Sequence, residues 1–458
     1  MQKRLSWKLA AIAFLIVLLM IPLAMIDGVV RERAGRQQEV ENTVSRSSAG
    51  AQALLGPVLA VPWLEKRKVR HSHEKGPDTI EIDAIHGVAV FTPQTLDITA
   101  DAGVESRYKG LYKALVFDAN GKWRAHFDVP ANLGLDADPA TVTAGAAYVA
   151  MGLSDERGIV GQPRIVFDGA PLPLQQGVEL STLQHGLRGV IGAADWRTAS
   201  RHDVAVDMEV IGTGSIGFVP IGADTKVRVK SAWAHPNFQG EFLPRTREVS
   251  EAGFAALWEV SRFASANDMT LAASRPLART ASGGATQGGA PLATLGVAFI
   301  EPVNIYQQAE RAVKYGALYI VLTFAGFFLV ETLKRLRIHP MQYGLVGLAL
   351  AAFFLLLISL SEHVAFGFAY LGAGGACVAL ITYYLAHVLK SRGRGLAFGA
   401  LFTLLYGVLY GVLLSEDNAL VLGSLLLFAA LAAVMILTRR IDWYDAANPA
   451  ATTATPAA

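Results

Sequence analysis

Six long apolar runs, one near the N-terminus and five in the last third, constrain this chain of 458 residues more than any other feature. They are Leu9–Ile26, Tyr315–Val330, Tyr343–Leu360, Val364–Val388, Leu396–Leu414 and Ala419–Leu437. Each is close to the roughly 20 residues with which an α-helix crosses about 30 Å of hydrocarbon. We therefore predict a membrane protein whose six helices form an α-helical transmembrane bundle.

The lysines and arginines of the short loops predict the orientation of this bundle. Basic clusters lie at every second loop, at Lys3–Lys8, Lys334–Arg337, Lys390–Arg394 and Arg439–Arg440. The other short turns, at Ser361–His363 and Ser415–Asn418, carry neither residue type. Because basic loops stay in the cytoplasm, we predict that both termini are cytoplasmic and that the residues between the first two runs lie outside. A cleaved signal peptide is the less favoured alternative for the first run, since no small-x-small cleavage site follows it.

The apolar runs divide the chain into five predicted regions. These are a cytoplasmic N-terminus with the first transmembrane helix (1–29), an outer mainly-β domain with a helical stalk (30–303), stalk and second transmembrane helix (304–338), transmembrane helices three to six (339–438) and a cytoplasmic tail (439–458). The stalk is predicted because residues 304–338 contain no proline. A helix of that length, about 50 Å, is longer than the hydrocarbon is thick. We expect its outer part to pair antiparallel with the residues after the first run.

Alternating apolar and polar residues predict β-structure between the first two runs. Lys113–Val129 alternates on both sides of Asn120-Gly121, a dipeptide typical of a type I′ hairpin turn. Asp203–Gly212 and Thr225–Trp233 alternate as well, and Leu295–Val303 is predicted to be a strand. This pattern predicts a large, mainly antiparallel β-sandwich inserted between helices 1 and 2.

Three stretches interrupt the alternation. Glu65–Asp78 is predicted to be a basic loop, and Asp138–Ile159 is predicted to hold a short helix before a turn. Ala273–Pro291 is rich in glycine, alanine, serine and threonine, which predicts a mobile loop.

Composition limits the chemistry of the chain. A formal net charge of +2 gives no reason to expect a nucleic acid partner. The single cysteine, Cys377, excludes an intrachain disulfide and a thiolate zinc site. We find no sequence motif of a serine hydrolase, zinc protease or nucleotide-binding protein. We therefore assign no catalytic residue, no metal and no cofactor, and we expect a protein that is not an enzyme.

Histidines and carboxylates of the outer region offer two weaker alternatives. His71 and His73 are spaced to share a metal ion, but no further histidine is near them, so a solvated basic loop is favoured. His202-Asp203, or Asp207 with Glu209, could supply an acid–base pair. The alternation places Asp207 and Glu209 on an outer sheet face, which favours simple exposure.

Ionisable residues at the ends of the apolar runs are the candidate polar site of the bundle. Glu362 and His363 lie at a predicted outer turn, and Glu331 lies close to an inner end. Such residues often mark functional sites in membrane proteins. A compact bundle without a transport route is nevertheless favoured, since each of them can reach interfacial water.

The segment AHPNFQGEFLP (Ala234–Pro244) is predicted to form a corner of the sandwich. We expect a bend at Asn237–Gly240, with Phe238, Phe242 and Leu243 packing at the edge. Only Glu241 is close enough in sequence to assist His235 in catalysis, so recognition or structure is favoured. The candidate residues of this corner are His235, Phe238, Phe242, Arg245 and Arg247.

Long motifs resemble those of the CreD family of bacterial inner-membrane proteins. They are RERAGRQQEVENTVSRSSAGAQALLGPVLAVP (31–62), LSDERGI (153–159), HPNFQGEFLPRTREVSEAGFAALWEVSRF (235–263), GVAFIEPVNIYQQAERAVKYG (296–316) and RIHPMQYGLVGLALAAFFLLLISLSEH (337–363). The resemblance implies a multi-pass protein of the inner (cytoplasmic) membrane with a periplasmic domain. It also implies a link to envelope stress, to a two-component regulatory system and to tolerance of some colicins and β-lactams. It supplies no catalytic residue or cofactor.

Two functions from different classes therefore stay open. The favoured one is an envelope-integrity protein, surrounded by membrane lipids, whose periplasmic domain binds a lipid, glycan or protein partner. The alternative is a transporter or membrane-embedded enzyme that acts where the bundle and the domain meet.

Overall fold

The computed structural model describes residues 2–71, 79–138, 140–178, 185–272, 292–301, 305–334, 338–414 and 419–439. The chain divides into two compact units. The helical unit comprises Met1–Gln37 with Val303–Ala458, and the β unit comprises Gln38–Pro302.

Apart from the short α2, the α-helices of the described residues follow the apolar runs. They are α1 (Gln2–Ser47), α2 (Asn267–Ala272), α3 (Ile305–Lys334), α4 (Pro340–Ser361), α5 (Phe366–Val388), α6 (Arg392–Leu414) and α7 (Ala419–Thr438). By length and composition, α1, α3, α4, α5 and α6 could each cross a membrane, and α7 contains the shorter apolar stretch Val421–Ile436. The chain is therefore a membrane protein with several apolar helices. The predicted stalk stays a prediction, although α1 continues to Ser47 and α3 begins at Ile305.

Local sequence explains where α4 begins. The His339 ring accepts a hydrogen bond from the backbone N–H of Met341, at 3.2 Å, and the backbone N–H of His339 donates to Gln342 Oε1, at 3.1 Å. This reciprocal pair is a capping box. Pro340 occupies the first turn, where its missing N–H costs nothing.

Helix α1 packs against α3 and α4 through small residues. A Cβ on Gly347 would lie 2.2 Å from Leu19, and one on Gly316 would lie 3.1 Å from Leu23, so these glycines allow close approach. Aromatic rings fill the interior of the unit, and the ring of Phe353 lies 4.7 Å from that of Tyr406. The helical unit is therefore a packed bundle.

The β unit contains two sheets. Its strands are β1 (Gln52–His71), β2 (Thr79–Phe91), β3 (Thr95–Lys109), β4 (Tyr112–Val129), β5 (Val142–Ala144), β6 (Ala147–Leu153), β7 (Ile159–Phe167), β8 (Ala170–Pro171), β9 (Leu174–Gln176), β10 (Gly186–Gly192), β11 (Ser200–Thr213), β12 (Ser215–Phe218), β13 (Asp224–Ser231), β14 (Pro236–Gly240), β15 (Thr246–Ser250), β16 (Gly253–Ser261) and β17 (Leu295–Phe299). In the described residues, one sheet has the order β14-β17-β12-β1-β6-β10-β9, with β2 and β5 also paired to β1. The other has the order β15-β16-β13-β3-β4-β11-β7-β8.

One hydrophobic core joins the two sheets. Trp123 of β4 meets Phe218 of β12 with ring centroids 6.5 Å apart, and Phe117 meets Phe299 of β17 at 5.5 Å. Most strand pairs are antiparallel, whereas β1 with β12 and β3 with β13 are parallel. The large, mainly antiparallel β domain of the sequence analysis is present.

The predicted hairpin turn at Asn120-Gly121 is wrong. Strand β4 continues through both residues between β3 and β11, and the turn lies at Gly110, with a φ of 65°. A Cβ at Gly121 would lie 2.3 Å from the Trp123 ring. The glycine therefore makes room for a buried indole rather than for a turn.

Two of the three predicted interruptions also differ. The stretch predicted to hold a short helix instead forms β5, β6 and a 3₁₀ turn at Glu156–Gly158. All seven residues of β6 are buried, and a short apolar run cannot be assigned to helix or strand by periodicity. The predicted basic loop is a strand as far as His71, while residues 72–78 and the predicted loop Ala273–Pro291 lie outside the described residues.

Candidate functional site

The segment Ala234–Pro244 passes from one sheet to the other and back. Strands β13 and β15 belong to the eight-stranded sheet, whereas β14 between them pairs with β17 at the edge of the nine-stranded sheet. The predicted bend at Asn237–Gly240 is wrong, because these residues form β14 and the bends flank it. Pro236, which has no N–H to donate, is tolerated at this edge.

Aromatic packing holds this segment in place. The Phe238 ring lies 5.8 Å from that of Phe254 and 5.7 Å from that of Trp258, and the Arg247 guanidinium lies 6.0 Å from its centroid. Phe242 is partly buried, and its carbonyl accepts the Trp258 indole N–H at 3.1 Å. The expected packing of Leu243 is wrong, since its side chain is 71% exposed.

The polar residues of the segment do not converge on a common centre. His235 packs edge-on against Trp233, with centroids 6.3 Å apart, and Arg245 forms an ion pair with Glu259. The Glu241 carboxylate accepts the Thr294 backbone N–H at 2.6 Å, which lowers the pKa of Glu241. Glu241 is thus engaged away from His235. The role of the five corner residues in recognition stays a prediction.

Glu362 and His363 diverge in the helical unit. The Glu362 side chain is 8% exposed, with Arg33 and the Tyr306 hydroxyl both 3.5 Å away. The exposed His363 ring hydrogen-bonds the Ser359 carbonyl at 3.1 Å. Arg33 lies more than 300 residues away in sequence, and sequence reasoning missed it.

Glu331 is the centre of a closed network. It pairs with Lys8 and accepts hydrogen bonds from the Tyr343 hydroxyl at 2.8 Å and the Ile338 backbone N–H at 3.1 Å. Lys8 also donates to the Ile338 carbonyl at 2.8 Å. Because Glu331 is only 8% exposed, the expectation that it reaches interfacial water is wrong.

A second polar joint lies in the β unit, at the motif LSDERGI. Asp155 accepts hydrogen bonds from Arg157 Nε at 2.9 Å and from the backbone N–H of Gly50 at 3.1 Å. These hydrogen bonds lower the pKa of Asp155 to about 2, and the bond from Arg157 has the largest effect. Arg157 also donates to the carbonyl of Arg46, in the last turn of α1. The motif therefore anchors the C-terminal end of α1, a role that sequence reasoning missed.

A pocket of about 370 Å³ opens between two loops of the β unit. The loops are tied by the Asn132 N–H, which donates to the Trp196 carbonyl at 3.0 Å. The Trp196 side chain is 4% exposed, and its buried indole N–H has no hydrogen-bond partner in the described part of the chain. The lining residues are Asn132, Leu133, Val142, Thr143, Ala144, Ala193, Ala194, Asp195, Trp196 and Arg197. No motif in the sequence indicated this pocket.

The alternative pairing of His202 with Asp203, which the sequence analysis did not favour, does not form. Asp203 instead pairs with His126 of the neighbouring strand, since adjacent residues of a strand point to opposite faces. The His202 ring hydrogen-bonds Asp168 through Nδ1 at 2.7 Å and Ser200 through Nε2 at 2.9 Å. The alternative pair, Asp207 with Glu209, lies on the half-buried outer face of β11.

No group of three or more histidine, cysteine, aspartate or glutamate side chains comes together within the described ranges in a way that could hold a metal ion. His73 lies outside those ranges, and His71 is described only in its backbone. Cys377 is buried in α5, where its thiol donates to the Ala349 carbonyl at 3.3 Å.

Comparison with known proteins identifies the family. The sequence model of the family described as inner membrane protein CreD matches residues 4–444. The chain is 36% identical to inner membrane protein CreD of Escherichia coli (strain K12), over 98% of this chain and 96% of that protein. A solved M1 zinc metallopeptidase from Deinococcus radiodurans is 8% identical over 37% of this chain and 38% of its own length, with a TM-score of 0.18, and this likeness carries no argument. The chain belongs to the CreD family of inner membrane proteins.

Proposed function

We propose that this protein supports integrity of the cell envelope by binding a small polar envelope molecule, a glycan unit or a lipid headgroup, in the β unit. Membership of an inner membrane family supports the envelope role. The observation that carries the binding role is the pocket beside Trp196. Its volume of about 370 Å³ falls in the range of small-molecule sites.

The chemistry of the pocket favours a polar ligand. Asn132, Asp195 and Arg197 supply hydrogen-bonding groups, and Trp196 supplies an aromatic face. A buried N–H without a partner costs about 1–3 kcal/mol, and a ligand oxygen that accepts from the Trp196 indole would remove that cost. Such a site discriminates in favour of ligands with a matching acceptor.

The proposed topology places the β unit in the periplasm. Six helices, with α7 as the sixth, give an even number of crossings, so both termini lie on the same side of the membrane, which we propose to be the cytoplasm. The basic clusters at alternate loops support this orientation. In this arrangement the pocket faces the compartment that contains envelope glycans.

Crosslinking in intact cells tests the binding role. A photoreactive residue at Thr143, in the pocket wall, is compared with one at Ser250, an exposed residue of β15. We expect a glycan or lipid to be captured from Thr143 and not from Ser250. Equal capture from both positions, or capture of proteins alone, would contradict the proposal.

A matched pair of tryptophan variants tests the indole. Trp196→Phe removes the unpartnered N–H, whereas Trp233→Phe removes an N–H that already donates to the Ile300 carbonyl at 3.0 Å. Loss of one ligand hydrogen bond should weaken capture by up to about tenfold in Trp196→Phe. Capture should be unchanged in Trp233→Phe.

Buried Glu362 favours a second candidate function, a transporter or membrane-embedded enzyme. Glu362 and its neighbour Arg33 form an ionisable pair in the helical unit, and such pairs often line ion or proton routes. Glu362→Gln and His363→Ala are made separately. Loss of the envelope phenotype in a variant that still folds and inserts would favour this candidate over ligand binding.

A further inference from the structure

The side chains of Ser200, His202 and Asp168 form a continuous hydrogen-bonded array at the start of β11. We propose that Ser200 is a nucleophile activated by His202, and that the β unit cleaves carboxylic esters. This activity goes beyond the proposed binding function and does not require that the pocket ligand be the substrate.

The positions of the hydroxyl, imidazole and carboxylate along the hydrogen bonds are the first support for this proposal. Ser200 and His202 are two residues apart on one strand and therefore share a face. His202 Nε2 lies 2.9 Å from Ser200 Oγ, and His202 Nδ1 lies 2.7 Å from Asp168 Oδ2. Nucleophile, base and orienting carboxylate occupy these same positions in serine triads on unrelated folds.

The surroundings hold this array in one arrangement. The second oxygen of Asp168 accepts the backbone N–H of Asp203 at 2.8 Å, which fixes the carboxylate. The His202 ring stacks on Phe167 at 4.8 Å and meets Trp196 edge-on at 5.3 Å. With 16% of its side chain exposed, His202 is largely screened from water, while Asp168 is 45% exposed. The ring is thus held between the carboxylate and the hydroxyl.

His202 also contacts the wall of the pocket. The indole of Trp196 that it touches lines the cavity of about 370 Å³. An ester group held near this wall would lie close to the array. We assign esters rather than amides because an alkoxide leaves more readily than an amine.

The reaction balances with water as the only co-reactant. Ser200 Oγ forms a bond to the carbonyl carbon of the ester while its proton passes to His202 Nε2. The bond from that carbon to the alcohol oxygen then breaks, and the alcohol departs with the proton. Water then attacks the carbonyl carbon of the acyl-serine and gives a proton to His202 Nε2. The bond from that carbon to Ser200 Oγ breaks, Oγ takes the proton back from His202, and the carboxylic acid leaves. Asp168 acts as a positioning residue that orients the imidazole and stabilises its charged form.

Labelling with a fluorophosphonate tests the nucleophile directly. The full-length protein in detergent is treated with the reagent, and the modified residue is located by mass spectrometry. We expect the reagent to modify Ser200. The modification should be lost in Ser200→Ala and retained in Ser250→Ala, since Ser250 lies outside the array. His202→Gln should slow labelling by on the order of 10³-fold or more, and Asp168→Asn should slow it while Asp168→Glu restores part of the rate.

Thermal unfolding of the same variants distinguishes a structural role. A purely structural array predicts lower stability in Ser200→Ala and Asp168→Asn, with no labelling of the parent protein. Labelling of Ser200 no faster than that of Ser250 in folded protein would overturn the proposal. So would labelling at an unchanged rate in folded His202→Gln.

Discussion

Glu331 in the helical unit and Asp155 in the β unit perform similar tasks in different surroundings. Each carboxylate joins a cation and a backbone N–H: Glu331 joins Lys8 of α1 to Ile338, and Asp155 joins Arg157 to Gly50, which lies just after α1. Glu331 is buried beside Tyr343 in the helical unit, whereas the Asp155 side chain is 18% exposed and lies in the turn after β6. Breaking these two similar polar joints should therefore destabilise the protein to different extents, because removing one partner leaves the other charge unpaired and unsolvated only where water is excluded.

The largest effect is expected at the Lys8–Glu331 pair. Lys8→Met leaves the Glu331 carboxylate without its cation in a buried site, which typically costs about 3–5 kcal/mol. The free energy of unfolding, measured in detergent, gives the value. The double variant Lys8→Met with Glu331→Gln should recover most of the loss, since no charge is then stranded. A double variant as unstable as the single one would contradict this account of burial.

A smaller effect is expected at Asp155. Asp155→Asn removes the charge that holds Arg157 and Gly50, and a charged hydrogen bond contributes about 1.5–3 kcal/mol. Asn retains the shape, so the fold should persist while the end of α1 exchanges its backbone amides faster. Hydrogen exchange of residues 44–50 measures this opening. Unchanged exchange would show that the motif does not anchor the helix.

The same residue predicts a pH dependence. The pKa of Asp155 is lowered from 3.8 to about 2 in the folded protein. The stabilisation is present in full above the unfolded pKa and is lost as pH falls from about 4 to 2. Its upper limit is about 2 kcal/mol, reduced by solvent screening. Thermal unfolding at pH 5 and pH 2.5 should show a smaller loss in Asp155→Asn than in the parent protein.

The smallest effect is expected at an exposed pair on α1. Glu32 and Arg36 lie one turn apart, with 59% and 56% of their side chains exposed. Glu32→Ala should change the free energy of unfolding by no more than about 0.5 kcal/mol, because water screens both charges. A loss of unfolding free energy as large as that of Lys8→Met would contradict the proposed dependence of the destabilisation on burial.

The sequence predicted the helices far better than the polar joints. The run Tyr343–Leu360 became α4 at Pro340–Ser361, because continuous apolar residues and a capping box are local signals. The turn at Asn120-Gly121 was predicted wrongly because Gly121 is needed to leave room for the Trp123 ring. A rule based on two adjacent residues does not take such packing into account. Lys8 and Glu331, or His202 and Asp168, meet only after folding, across 323 and 34 residues. A single amino-acid sequence contains no local pattern that indicates which distant side chains will meet in the folded protein.

Thiol labelling in intact cells tests the proposal that the β unit of this inner membrane protein lies on the periplasmic side. Single cysteines are placed at Lys109, an exposed residue at the end of β3, and at Arg392, the first residue of α6 within the basic cluster Lys390–Arg394, with native Cys377 replaced by alanine. If the β unit is periplasmic, we expect a membrane-impermeant reagent to label the Lys109 position in intact cells and the Arg392 position only after the membrane is permeabilised. Labelling of the Arg392 position in intact cells, with protection of Lys109, would contradict it.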